Sequence, residues 1–276
     1  MTHRLGLGLA CWLLALPAFA GLLVTDVIGK AEVEGRGPAK ILTALAEGAH
    51  LSLAEGTTMV LVDLKSGREF ALTGKASYVV AANGVTTADR GMITATALPT
   101  ASLPDVRIAT LKLARPKMVM RGDFGFAPST LISPVMTAVL SEQVYLQWRE
   151  VESAVQYRVT VQRADDAVIL DQVTRQLRIA VPPSAGLVAG ETYSWRVEAL
   201  GEGSKLSSAS AMFSMATAED VLRLAQLKPM ASAPFGRRVL YLAQLLEVGA
   251  FEEASAVGTL LIKERPNDPV IQALAR

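Results

Sequence analysis

The sequence has few of the side chains on which exported catalysis and metal binding usually depend. Its 276 residues include one cysteine, Cys11, and two histidines, His3 and His50. One cysteine excludes an intramolecular disulfide framework and a thiolate metal site, and so few histidines exclude a histidine-rich one. An excess of one charge is also missing, since 27 basic residues stand against 26 acidic ones. The chain therefore lacks the excess of basic residues that is typical of proteins that bind nucleic acid or an anionic membrane surface.

The first twenty residues have the pattern of a cleavable secretory signal peptide. An apolar run over residues 5–16 is followed by Ala18-Phe19-Ala20, which has the small-x-small form that signal peptidase accepts. The run is much shorter than the roughly 20 residues of a membrane-spanning helix, and Pro17 would break it. Cleavage after Ala20 would also remove the cysteine and one of the two histidines. We therefore predict a periplasmic or secreted protein with no transmembrane segment after cleavage.

Residues 21–98 show short runs of alternating polar and apolar residues separated by glycine turns. This pattern predicts a small all-β domain, with a break at Gly29 and a hairpin at Gly67. The region resembles the FecR-like domain, an exported β-module. The resemblance is carried by Ile28-Gly29-Lys30-Ala31-Glu32-Val33, Ala46-Glu47-Gly48, Glu55-Gly56-Thr57-Thr58 and Val60-Leu61-Val62-Asp63-Leu64.

The FecR-like resemblance implies a role in envelope signalling or in an exported protein that carries other binding modules. The signalling type needs a cytoplasmic helical segment and a spanning helix, and the predicted cleavable signal argues against it. The sequence also departs from the family where Lys65-Ser66-Gly67 replaces a short Asp-Gly turn.

Residues 99–127 are predicted to be a linker and a connecting strand, because two prolines and small polar residues open this stretch. Its basic side chains, which include Arg115 and Lys117, form either a patch for an anionic partner or the solvated face of a strand. Phe124 and Phe126 are the aromatic pair that the pattern leaves exposed. These four side chains are our candidate contacts for a ligand or a partner.

Residues 128–216 predict a β-sandwich, because each of several strands has one apolar face. The apolar faces are Val144, Leu146 and Trp148; Tyr157, Val159 and Val161; Leu177, Ile179 and Val181; and Tyr193, Trp195, Val197 and Ala199. The aromatic residues Trp148, Tyr157, Tyr193 and Trp195 all lie on the apolar, inward faces of their strands. This predicts that they belong to the core and do not form a carbohydrate-binding strip. The spacing of Leu187, Gly190 and Tyr193 predicts a tyrosine corner. With Trp148 on an early strand, the region resembles a fibronectin type III domain, an immunoglobulin-like sandwich.

Residues 217–276 change to a helical period. Thr217 and Asp220 form a helix-start signal, and further amphipathic runs follow as far as Pro266. The later runs resemble one degenerate helix-turn-helix of a tetratricopeptide repeat, although Gly258 stands where a large apolar residue is usual. A stack needs roughly three repeats to bury a continuous core. We therefore expect these helices to pack on the sandwich, the alternative being that they wait for a partner.

The sequence offers no recognisable catalytic constellation, so we assign no catalytic, cofactor-binding or metal-binding residue. His50 is the one histidine left for a serine nucleophile after cleavage, and we expect it to be exposed in a turn. The acidic pairs Glu252-Glu253 and Asp165-Asp166 are predicted to be solvated charges on a helix surface and in a hairpin turn.

The predicted class is therefore mainly β: a FecR-like β-domain, a fibronectin type III-like sandwich and a short C-terminal helical segment. The leading hypothesis is a non-enzymatic binding or scaffolding protein of the cell envelope with a protein partner and no cofactor. The alternatives are a protein that binds cell-wall glycan such as peptidoglycan, or a weak hydrolase; a FecR-type signalling component; and an assembly factor whose helical tail docks on a partner.

Purified peptidoglycan tests the glycan-binding alternative. Under the leading hypothesis we expect no stoichiometric retention of the mature chain in a pull-down. Retention that is lost when Phe124 and Phe126 are both changed to alanine would contradict that hypothesis, because it would place a glycan site at this aromatic pair.

Overall fold

The computed structural model describes residues 21–98 and 130–274. The predicted signal peptide and the whole of the predicted linker lie outside this range. So do the four candidate contacts, Arg115, Lys117, Phe124 and Phe126. Strands make up 43% and helices 21% of the described residues, which confirms the predicted mainly β class with a short C-terminal helical segment.

Ten strands form a first β-unit: β1 (Gly21–Ile28), β2 (Ala31–Val33), β3 (Gly37–Pro38), β4 (Ala44–Ala46), β5 (His50–Leu53), β6 (Thr58–Asp63), β7 (Arg68–Thr73), β8 (Ala76–Ala81), β9 (Gly84–Thr87) and β10 (Met92–Ala97). They make two five-stranded antiparallel sheets, ordered β10-β7-β6-β1-β4 and β3-β2-β5-β8-β9. Side chains of both sheets, such as Phe70 and Tyr78, share one apolar core. The predicted break at Gly29 and hairpin at Gly67 are present, and both glycines have positive φ.

Eight strands form a second β-unit: β11 (Leu131–Ser133), β12 (Thr137–Val139), β13 (Tyr145–Trp148), β14 (Gln156–Arg163), β15 (Val168–Thr174), β16 (Arg178–Ala180), β17 (Thr192–Leu200) and β18 (Lys205–Met215). The sheet β11-β13-β16 packs on the sheet β12-β18-β17-β14-β15 over a shared apolar core. Pairing is antiparallel except at β12, which lies parallel to β18. A 3-10 turn spans Pro183–Ala185. The predicted β-sandwich is thus present.

The aromatic residues of the sandwich lie in its core, as their parity predicts. Trp148, Tyr157, Tyr193 and Trp195 are each at most 3% exposed. The hydroxyl of Tyr193 accepts a hydrogen bond from the backbone N–H of Val188 at 2.8 Å, which is the predicted tyrosine corner. The resemblance to fibronectin type III domains itself stays a prediction.

Four helices follow the sandwich: α1 (Ala218–Leu227), α2 (Phe235–Val248), α3 (Phe251–Glu264) and α4 (Pro269–Leu274). Thr217 caps α1 as predicted, because its hydroxyl accepts a hydrogen bond from the N–H of Asp220 at 3.1 Å. Helix α2 ends at Gly249, whose φ of 82° is the left-handed conformation that favours glycine after a helix.

The helices pack mainly on the first β-unit and only secondarily on the sandwich, which differs from our expectation. Strand β1 is buried on both faces. Val24 faces the apolar core between the two sheets of the first β-unit, whereas Leu23, on the other face, packs with Leu240 of α2. The approach is close, because a Cβ atom on Gly236 would lie 2.9 Å from Oγ1 of Thr25. The apolar residues on the outer face of β1 explain why α2 covers this strand.

Ion pairs reinforce the contact between the helices and the first β-unit. Arg265 donates to both carboxylate oxygens of Asp26, at 2.5 and 3.1 Å, and its guanidinium lies 3.6 Å from the ring centroid of Phe235. The side chains of this pair are only 23% and 12% exposed. Arg237 makes a second, longer pair with Glu69 at 3.4 Å.

We expect Asp26→Asn to lower the free energy of unfolding by about 2 kcal/mol, because it leaves the partly buried guanidinium of Arg265 without its counter-charge. The matched control is Asp171→Asn. Asp171 also forms a bidentate pair, with Arg158, but those side chains are 41% and 49% exposed. Exposed pairs contribute little to stability. Urea denaturation of the mature chain measures both variants, and equal losses would contradict the assignment.

Candidate functional site

A cleft of about 210 Å³ lies where the sandwich meets the N-terminus of α3. One wall belongs to the sandwich and includes Tyr145, Gln147 and Arg178. The opposite wall belongs to α3 and includes Glu252 and Glu253. We call this cavity the junction cleft.

Strand β12 attaches the helices to the sandwich beside the junction cleft. The N–H of Ala138 donates to the carbonyl oxygen of Gly249 at 2.8 Å. The hydroxyl of Thr137 accepts a hydrogen bond from the N–H of Phe251 at 3.0 Å. Ala250 precedes α3 and has no side chain that could cap it. The sandwich thus supplies the acceptor that an N-cap residue normally provides, which fixes α3 against the sandwich.

The sandwich wall presents a cation on an aromatic ring. In the pairing of β13 with β16, Gln147 lies opposite Arg178 and Tyr145 lies opposite Ala180. Arg178 is therefore diagonal to Tyr145 on the same outer face, and its guanidinium lies 3.9 Å from the ring centroid. In the part of the chain that the structure describes, no carboxylate lies within ion-pair distance of Arg178.

The helical wall presents two carboxylates in the first turn of α3. Ser133 donates a hydrogen bond to Oε2 of Glu252 at 2.7 Å. Burial raises the pKa of Glu253, and the negative charge of Glu252 raises it further. The pKa of Tyr241, on α2, is raised by burial and then by the charge of Glu253. The prediction that these glutamates are solvated charges on a helix surface fits Glu252, which is exposed, and is wrong for Glu253, which is partly buried.

The residues singled out from the sequence do not form a site together. The candidate contacts Arg115, Lys117, Phe124 and Phe126 lie outside the described residues. His50 is exposed at the first position of β5. Among the described residues, no group of three or more histidine, cysteine, aspartate or glutamate side chains could hold a metal ion. None of the described helices has the length and hydropathy of a membrane span.

Sequence reasoning missed the sandwich wall of the junction cleft. Tyr145 stands between the buried residues Val144 and Leu146, so its outward direction follows from strand parity. The same argument places Arg178 outward. The alternation of side chains along a strand does not show which strands are neighbours in the sheet. The contact between Arg178 and Tyr145 could therefore not be predicted from the sequence.

No protein-family model matches the chain, and no curated protein is similar to it. The resemblances to FecR-like, fibronectin type III and tetratricopeptide modules therefore stay predictions.

We expect Glu253→Gln to stabilise the mature chain at about pH 7 and to have little effect at about pH 4. The folded protein raises the pKa of Glu253. The folded state therefore favours the protonated carboxyl, and this contribution to stability is lost as the pH rises through the folded-state pKa. Glutamine stays neutral at both pH values and avoids that loss.

Thermal unfolding at the two pH values measures the effect of Glu253→Gln. The matched control is Glu202→Gln, which makes the same substitution in the exposed turn between β17 and β18. A destabilising effect of Glu253→Gln at neutral pH would mean that the Glu253 carboxylate is favourably held, contrary to this assignment.

Proposed function

We propose that this chain is a non-enzymatic, exported binding protein of the cell envelope, with the junction cleft as its binding site. The observation that carries the proposal is the pair of oppositely charged walls. Arg178 stands on one wall with no carboxylate among the described residues in ion-pair range, and Glu253 on the other wall is partly buried. A charged group that has no counter-charge, or that is partly removed from water, can gain favourable interactions from a ligand of opposite charge.

The attachment of both walls supports a binding role. The bonds from β12 hold α3 on the sandwich, and α2 packs on β1. A site whose walls are fixed before association loses less conformational freedom on binding. The same contacts join the two β-units through the helices, which supports a scaffolding role for the chain.

The groups in the junction cleft support binding better than catalysis. Ser133 is hydrogen-bonded to Glu252, but activation of a serine nucleophile commonly uses a histidine base, and the residues that line the junction cleft include no histidine. Glycoside hydrolysis uses two carboxyl groups that flank the scissile bond. Here Glu252 and Glu253 share one wall, and the opposite wall carries a cation.

The peptidoglycan alternative receives less support from this site. Glycan recognition commonly stacks a sugar ring on an open aromatic face. Tyr145 is 44% exposed, but the guanidinium of Arg178 covers one face of its ring. The predicted partner is therefore a protein of the envelope. The predicted signal peptide supports a periplasmic or cell-surface location.

Photo-cross-linking in the envelope of the cell that makes the protein tests the proposal. A photoreactive residue in place of Gln147 lies in the junction cleft and should capture the partner, which mass spectrometry then identifies. The matched control places the photoreactive residue at Glu202. We expect the adduct only from position 147, and we expect it to disappear when the chain also carries Arg178→Ala. Equal capture from both positions, or none from position 147, would overturn the proposal.

A further inference from the structure

The chemistry of the junction cleft specifies its ligand more narrowly than the proposed function does. This inference rests on that function, because it takes the junction cleft as the binding site. We infer that the junction cleft binds a single amino-acid residue that carries both an ammonium group and a free carboxylate, such as a lysine at the end of a peptide chain. The carboxylate would lie on Arg178 and the ammonium group on Glu252 and Glu253.

Arg178 selects for the carboxylate. A guanidinium presents five N–H donors in a planar fork that matches a carboxylate. The guanidinium carbon of Arg178 lies 3.9 Å from the ring centroid of Tyr145, so the ring and not a carboxylate supports this cation. Among the described residues, Arg178 has an aromatic contact but no carboxylate within ion-pair distance.

The opposite wall selects for a cation. Glu252 and Glu253 bring two carboxylates to one turn of α3, and Ser133 holds Glu252 in place. Burial and the proximity of Glu252 disfavour the ionised form of Glu253, as its raised pKa shows. An ammonium group between the two carboxylates would relieve both effects, because it supplies a counter-charge and hydrogen-bond donors.

No direct ion pair joins the two walls among the described residues. The space between them therefore fits a ligand with a positive and a negative end better than a ligand with one charge. An anion bound to Arg178 would be repelled by the two carboxylates on the opposite wall. A cation bound to the glutamates would be repelled by the guanidinium of Arg178.

The volume limits the ligand to a small group. Ligand sites for drug-sized molecules span about 300–1,000 Å³, whereas the junction cleft has about 210 Å³. A single amino-acid residue is of this size, and the rest of a peptide chain would extend out of the cleft.

Isothermal titration calorimetry on the mature chain tests the inference with three related probes. Nα-acetyl-lysine carries both charges, Nα-acetyl-lysine amide carries only the cation, and Nα-acetyl-norleucine carries only the anion. We expect Nα-acetyl-lysine to bind about tenfold more tightly than either of the others, because each of them loses one charge-assisted contact. Equal binding of the three probes, or binding of none, would overturn the inference.

Free lysine distinguishes the two sources of this chemistry. Tighter binding of Nα-acetyl-lysine than of lysine would favour a chain end, whose α-nitrogen is acylated, and similar affinities would show that the cleft accepts the acylated nitrogen that a chain end requires. If lysine bound and Nα-acetyl-lysine did not, the junction cleft would require a free α-ammonium group, and the inference of a chain end would fail.

Two variants assign each charge to its wall. Arg178→Gln should abolish the preference for Nα-acetyl-lysine over its amide while both still bind weakly, a change in selectivity that misfolding would not produce. Glu253→Gln should abolish the preference over Nα-acetyl-norleucine instead. The controls are Arg196→Gln and Glu202→Gln, which alter exposed side chains outside the junction cleft. Unchanged selectivity in Arg178→Gln or in Glu253→Gln would overturn the inference.

The result of the titrations can be distinguished from the result of the cross-linking experiment that tests the proposed function. Cross-linking from position 147 without selective binding of Nα-acetyl-lysine would leave a binding protein with a different ligand. Failure of both experiments would remove the junction cleft as a binding site.

Discussion

Strand β1 is buried on both faces, and the arrangement of the helices depends on the face that α2 covers. Leu23 packs with Leu240 on this face. The absence of a side chain at Gly236 lets the helix approach Thr25 closely. Arg265 then reaches Asp26, so an ion pair with little exposure is added to an apolar contact. A partly buried ion pair is costly to break but contributes only modestly to stability when it is intact. We therefore regard apolar burial as the main stabilising interaction, and the ion pair as a contact that favours this one position of the helices on the first β-unit.

The junction cleft is a consequence of this packing. Once α2 lies on β1, its C-terminal end at Gly249 is held beside β12, where the backbone of Ala138 and the hydroxyl of Thr137 bind the turn into α3. The first turn of α3 therefore faces the outer surface of the sandwich. Two carboxylates are brought opposite a guanidinium, although neither β-unit carries this combination by itself.

Much of the fold could be predicted because the relevant signals are local. Alternation of apolar residues follows from the two-residue period of a strand, and the cap at Thr217 and the tyrosine corner at Tyr193 each depend on residues a few positions apart. The docking of α2 could not be predicted in this way. A strand with apolar residues on both faces must be covered twice, but the sequence does not specify which helix covers it.

The amino-acid sequence by itself determined the mainly β class, the position of the helical segment, and the inward direction of the aromatic residues, since short-range periodicity and turn chemistry decide these features. Only the tertiary structure decided the candidate site. Arg178, Tyr145 and Glu253 lie on three separate elements, and each has an unremarkable neighbourhood in the sequence. Their meeting depends on the pairing of β13 with β16 and on the attachment of α3 to β12, which are long-range contacts that no local pattern encodes.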